Sequence, residues 1–260
     1  MIYDLQKASF WKRISAYLFD SVLLGVLILG LFIASVSIAK VDTYLDKLNE
    51  YRAQYAQELD IDLTLTQEQF QQMTEEEKTE YTEKYNLVNE KMANNKDVAE
   101  TNVEIITRVL VSLAISVLIA DLVYYFIIPL FFKNGRSLGK KMFGLAVVRT
   151  NGVKASTLVL FIRSMIGIYA IETMFPLMLV FMRLLGLLGS ISFIVILLLG
   201  ILQIATTAMS QTNSCIHDLL TDTAVVEFSS QKIYETEEQL IEEQKAYAAE
   251  KAAQPEHGRQ

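Results

Sequence analysis

The sequence has one cysteine and two histidines in 260 residues. With Cys215 alone there is no internal disulfide framework. His217 and His257 stand far apart, so no Cys/His metal cluster is expected. Metalloprotease, nucleophile-elbow and Walker patterns are also missing. The nearest approach to a phosphate loop is Gly135-Arg-Ser-Leu-Gly-Lys-Lys-Met-Phe-Gly144. Only three residues separate Gly135 from Gly139, and Lys141 stands where Ser or Thr belongs. The pair His217–Asp218 would need a nucleophile and a pocket to be catalytic, and the sequence indicates neither. No enzyme, cofactor or metal is therefore expected.

Charge is nearly missing from four long apolar stretches, in a chain that is 52% hydrophobic with mean hydropathy +0.30. A soluble chain of this size carries more charge in its long segments. The first stretch, 14–38, is about 25 residues, enough to cross a ~30 Å hydrocarbon core with tilt. Lys7, Lys12 and Arg13 precede it, which also suits a signal peptide, but the run is long for one and Asp20 interrupts it. The others are 105–132, 158–183 and 187–209. Pro129 lies near the end of the second, Pro176 should kink the third, and Gly186 and Gly189 mark a tight connection between the last two.

The charges outside these stretches are sorted by region. Residues 40–104 hold 16 acidic and 7 basic side chains, residues 133–154 hold 6 basic and no acidic ones, and residues 214–260 hold 10 acidic and 4 basic. Short basic connections favour the cytoplasmic side. The expectation is an all-α integral membrane protein with four transmembrane helices. Segment 1–13 is cytosolic, 39–104 a helical extracellular insertion, 133–157 a basic cytosolic loop with a β-hairpin element, and 210–260 a cytosolic tail. That places both termini inside a multi-pass protein of the cell membrane. Nucleic acid is not an expected partner, because the basic block lies against the membrane. Arg136, Lys140 and Lys141 are expected to touch lipid headgroups.

Within the insertion, Val41, Tyr44, Leu45, Leu48, Tyr51, Tyr55 and Leu59 recur at helical spacing. Thr74 with Glu77, and Asp97 with Glu100, fit capping boxes. Asp60, Asp62 and Thr64 open with calcium-loop spacing, but no glycine follows at the sixth position and Gln71 replaces the closing glutamate, so calcium is not expected. Gly144–Arg149 with the turn Asn151–Gly152 reads as strand and hairpin, and Thr223–Phe228 as a second β piece able to pair with it.

Four ionisable residues sit well inside the apolar stretches, away from their ends: Asp20, Asp121, Arg163 and Glu172. A charge in hydrocarbon costs at least ~2.5–3.5 kcal/mol, so it pairs, faces water or does a job. At 1.5 Å per residue, Asp20 lies about 10 Å, Arg163 roughly 7–8 Å and Asp121 roughly 16 Å from the inner end of its span. One layer could hold all three, with Glu172 deeper. The functional reading is a cation or proton site in which Asp20 and Asp121 supply oxygens and Arg163 balances charge. The plainer reading is a buried Asp20–Arg163 pair joining two helices. Asp218 should cap a turn or pair with Arg13.

Several pieces together resemble one family. They are Arg13-Ile-Ser-Ala-Tyr-Leu-Phe-Asp20, Gly135-Arg-Ser-Leu-Gly-Lys-Lys-Met-Phe-Gly-Leu-Ala-Val-Val148, Arg163, and His217-Asp218-Leu-Leu-Thr-Asp-Thr-Ala-Val-Val226. They are similar to the RDD family of membrane proteins, named for one arginine and two aspartates, which Arg13, Asp20 and Asp218 match. The resembling domain spans 8–228, with the long insertion as a departure. Ligand transport has been suggested for that family, and sodium–proton exchange is attributed to some members. The family's activity is unsettled; a transporter of a monovalent cation or proton fits the resemblance, but four spans enclose little volume and show no inverted repeat, so transport would need a homo-oligomer. The insertion points instead to a non-enzymatic regulator or assembly partner of another membrane protein.

Overall fold

The computed structural model describes residues 5–210 and 212–253, with side chains as far as Glu250. His257 and the end of the tail lie outside the described residues. Four helices are long and apolar enough to cross a membrane: Phe10–Ile38, Lys96–Phe132, Thr157–Leu184 and Ile191–Met209. Large apolar side chains stand exposed along them, among them Val22, Leu29, Ile194 and Leu197. A surface of that kind needs lipid to cover it. The remaining secondary structure among the described residues is polar or short helices and one two-stranded sheet, so the protein is an all-α membrane protein.

The chain forms two compact units, one of Leu29–Ser116 and one of the residues up to Ile28 together with those from Val117 onward. In the first, Lys40 takes a left-handed conformation that separates the first span from the helix Val41–Glu58. That helix packs against Glu75–Asn94, with the short helix Gln67–Gln72 between them. Thr66 with Gln69, and Thr74 with Glu77, close capping boxes. Asp97 and Glu100 do not. The next helix begins at Lys96, and the side-chain oxygen of Asn95 accepts from the backbone N–H groups of Asp97 and Val98. Asp62 accepts from the backbone and hydroxyl of Thr64 at 2.8 and 2.6 Å, an Asx turn closed on itself. Arg108 ties this unit together. It donates to the Ala39 carbonyl and the Tyr44 hydroxyl, and stacks on the Tyr44 ring.

In the second unit, β1 (Leu145–Arg149) pairs antiparallel with β2 (Thr223–Glu227), Val147 opposite Val225. The expected local hairpin is reduced to one bridge, Val148 to Lys154, and the sheet is made by chain segments distant in sequence. Both strands bury four of their five residues, which explains their continuous rather than alternating Val/Ala pattern. Two spans change winding: Leu122–Ile127 and Arg163–Met174 are π-helical. Each precedes a proline, Pro129 or Pro176. A proline ring removes an N–H and crowds the preceding turn, and a wider turn relieves both effects. Gly186 and Gly189, both at positive φ, turn the chain from the third span into the fourth.

Candidate functional site

Three polar networks converge in the second unit. The first is built on Asp20, which the first span buries to 1% exposure. Its Oδ1 accepts from the Tyr124 hydroxyl at 2.7 Å and from the Gly139 N–H at 2.7 Å, and its Oδ2 from the Ser137 hydroxyl at 2.5 Å. Ser137 also caps the helix Leu138–Met142, so this carboxylate holds the N-terminal end of that helix against the first span. Only glycine fits at 139, since a Cβ there would stand 2.7 Å from Asp20 Oδ1 and closer still to the Ala16 carbonyl. Lys140 approaches the same carboxylate at 3.9 Å. Burial, and then the charge of Arg163, lower the pKa of Lys140 from its ordinary value.

The second network is built on Asp218, fully buried as the third residue of the capping box that opens Ile216–Leu220. Arg163 Nε donates to its Oδ1 at 3.0 Å, with Nη2 at 2.8 Å, and the Thr223 hydroxyl donates to the same oxygen. Arg13 Nη2 lies 3.5 Å from Oδ2, and Arg13 also donates to the Asn213 carbonyl. Burial alone would raise this carboxyl. The charges of Arg163, His217 and Arg13 outweigh it and hold Asp218 well below the usual carboxylate range. The expected cap and the expected Arg13 pairing are thus both present in one residue.

The third network is built on Glu172. His217 Nδ1 lies 2.8 Å from both its oxygens, and the His217 backbone N–H and Gln203 Nε2 donate to Oε1 at 3.2 and 3.1 Å. Gly167 lets the third span pass close to His217, since a Cβ there would clash with that residue's backbone and Cβ.

A cavity of about 620 Å³ joins these networks. Arg13, Asp20, Lys140, Arg163, Glu172, His217 and Asp218 line it, with apolar side chains from the first, third and fourth spans. The single layer expected for Asp20, Asp121 and Arg163 is therefore divided. Asp20 and Arg163 face one cavity but bind different partners. Asp121 is fully buried outside that lining, toward Thr173, and neither oxygen makes a hydrogen bond of normal geometry. The division follows from donor supply: the turn at 137–139 satisfies Asp20 and the helix at 216–220 brings a carboxylate to Arg163.

The basic loop is divided in the same way. Arg136 stacks on Phe228 and Lys141 on Phe132, whereas Lys140 turns inward. Cys215, His217 and Asp218 place donor atoms within 4.8 Å of one another, which a metal could bridge. The site suits one poorly. Two guanidiniums already face Asp218, and burial and the Asp218 charge push the Cys215 thiol up, away from the thiolate a metal requires. The same shift makes Cys215 a weak nucleophile.

Sequence reasoning missed Tyr124, Ser137, Gly139, Gln203 and Thr223, the partners of the charged residues. One signal was available: Ser137 followed by a short run to Gly139 directly after a span is a helix cap beside a backbone that can be approached closely. The RDD family model matches residues 7–222. No curated protein and no solved structure matches the chain.

Proposed function

The chain belongs to the RDD family of membrane proteins, and from that premise we propose that it exchanges a monovalent cation for a proton across the cell membrane. The supporting observation is Glu172, a carboxylate in a membrane-spanning helix, on a cavity wall, 2.8 Å from an imidazole. Intramembrane carboxylate–histidine contacts are the usual material of proton relays. Gln203 and Thr207 stand on the same wall and carry further oxygen atoms. A proton shared by Glu172 and His217 leaves when a cation takes the oxygens of Glu172, Gln203 and Thr207. Asp20 and Asp218 serve differently. The donors to their oxygens are hydroxyls, a backbone N–H and guanidiniums, none of which gives up a proton as the imidazole at Glu172 can. They fix the walls, and Arg13 and Arg163 with them. In this reading both termini lie in the cytoplasm, a side that the basic 133–154 connection favours.

The purified chain in vesicles loaded with a pH dye tests this. A sodium or potassium gradient should change internal pH, Glu172→Gln should abolish the change, and Asp121→Asn should leave it. Folded wild-type protein without any flux ends the exchange reading. A second reading, docking to another membrane protein through residues 41–94, rests on Leu29–Ser116 being a compact unit of its own with Tyr85 and Leu87 exposed. Deleting 41–94 should then remove a specific partner and spare any flux.

A further inference from the structure

A bare cation needs far less room than this cavity offers. Much of its wall is apolar, from Phe10, Ile14, Ile196, Leu199 and Ile204. Phe10 is 54% exposed and Ile204 72%, so the space between the first and fourth spans opens outward at apolar side chains. In a membrane, what lies against such an opening is acyl chain. At the polar end, three cationic side chains, Arg13, Lys140 and Arg163, face two carboxylates, Asp20 and Asp218, which leaves one positive charge.

The donors at that end are not used up. Lys140 is only 15% exposed, yet its ammonium finds Ser137 Oγ at 3.4 Å, Asp20 Oδ2 at 3.9 Å and the Tyr125 ring face at 6.0 Å, weak partners for three N–H groups. Arg13 is equally enclosed. Beyond its bond to the Asn213 carbonyl it has Asp218 at 3.5 Å and the Cys215 sulfur at 3.9 Å. Two cations with spare donors beside an apolar slot that opens to lipid match the chemistry of a phosphate carrying a chain. Glu172, the remaining acid on the wall, is engaged by His217.

We propose that this cavity binds one phospholipid of net negative headgroup from the surrounding bilayer, its phosphate taken by Lys140 and Arg13 and an acyl chain lying between the first and fourth spans. The site goes beyond the exchange reading and does not depend on it.

Two variants attack opposite ends of the site. Lys140→Met keeps the stem and removes the charge. Gly200 lines the cavity in the fourth span, and a Cβ added there meets nothing within 4 Å, so Gly200→Leu adds apolar bulk at that wall from an unobstructed backbone position. Native mass spectrometry of the purified full chain in detergent, titrated with phosphatidylglycerol or phosphatidylcholine, reads the binding directly. Thermal unfolding midpoints check that both variants are folded. One phosphatidylglycerol should be retained in preference to phosphatidylcholine, and each variant should weaken it about tenfold, the scale of one charge-assisted contact or more. Equal retention of the two lipids overturns the proposal. So does loss in Lys140→Met alone, which would put the lipid on the outer surface, or in Gly200→Leu alone, which would leave the headgroup unanchored. Because no flux is measured, failure of the exchange reading leaves this result intact, and the reverse also holds.

Discussion

Asp218 shows what one buried carboxylate can organise. Its partners come from the start of the first span, from the third span and from β2, so removing its charge strands two guanidiniums at once. Asp218→Asn should destabilise the protein by about 3–5 kcal/mol, the usual cost of breaking a buried pair from one side. The pH dependence follows from the sign of the shift. The folded carboxyl lies below its unfolded value of about 3.9, so its contribution is fully present above that pH and is lost as pH falls through the folded value. Unfolding midpoints in detergent should therefore show wild type well above Asp218→Asn from pH 5 to 8, with the gap closing only in strong acid. A gap that closes near neutrality would contradict a carboxyl held down by arginine. Gly139→Ala probes the other aspartate. Its methyl group meets the Ala16 carbonyl and the Asp20 carboxylate, so a loss of about 1–3 kcal/mol is expected. Gly25→Ala, with nothing within 4 Å, should be neutral or slightly favourable in the same measurement. At this scale the charged half of each interaction was legible in the sequence, because charge in an apolar run is conspicuous. The neutral half was not. Tyr124 and Gly139 are separated from Asp20 by 104 and 119 residues, and neither a tyrosine nor a glycine stands out in a membrane span or its edge.

The elements were legible wherever one physical signal acted alone. Long apolar runs gave four helices, and the stripe from Val41 to Leu59 gave another, mostly exposed, that covers Val41 fully and Tyr44, Leu48, Tyr51 and Tyr55 in part. Competing signals gave misreadings. Asp97 and Glu100 have capping-box spacing, yet Asn95, two residues earlier, is as good a cap and also reaches the Tyr55 hydroxyl at 2.7 Å. Asn95→Ala should cost about 0.5–2 kcal/mol by unfolding midpoint, and Asp97→Ala distinctly less. The reverse order would restore the sequence-based cap. Asn151–Gly152 is a hairpin signal, and it makes its turn. The strand that follows is nevertheless displaced, because β2 brings four buried residues to β1 and the local return strand offers a single bridge. No periodicity announces the π-helical winding of Arg163–Met174. It follows Thr157–Ile162 directly and leaves Arg163, Ser164, Gly167 and Ile168 buried, where the third span meets the helix carrying His217 and Asp218.

For the molecule as a whole, orientation in the membrane turns on regional charge. The basic 133–154 connection holds six positive side chains and no negative one, and the acidic insertion lies one span away from it in sequence. Orientation follows basic residues in short connections, and acidic residues contribute little, so the proposed topology rests on the connection and not on the insertion's acidity. The proposed arrangement puts residues 41–94 outside and the helix Glu237–Ala253 inside. The single native cysteine makes this simple to check. Cys215→Ala gives a thiol-free background. A cysteine is then placed singly at Glu90 in the helix Glu75–Asn94 or at Gln239 in the C-terminal helix, both exposed. In intact cells a membrane-impermeant maleimide should label Glu90→Cys and leave Gln239→Cys untouched until the cells are permeabilised. Neutralising Lys133, Arg136 and Lys141 together should weaken that asymmetry, while leaving Lys140 in place retains the side chain that faces the cavity. Labelling of Gln239→Cys in intact cells would invert the whole arrangement, and the cavity beside Arg13 and Lys140 would then open in the outer half of the membrane, where anionic lipid is scarcer and the headgroup match loses its source.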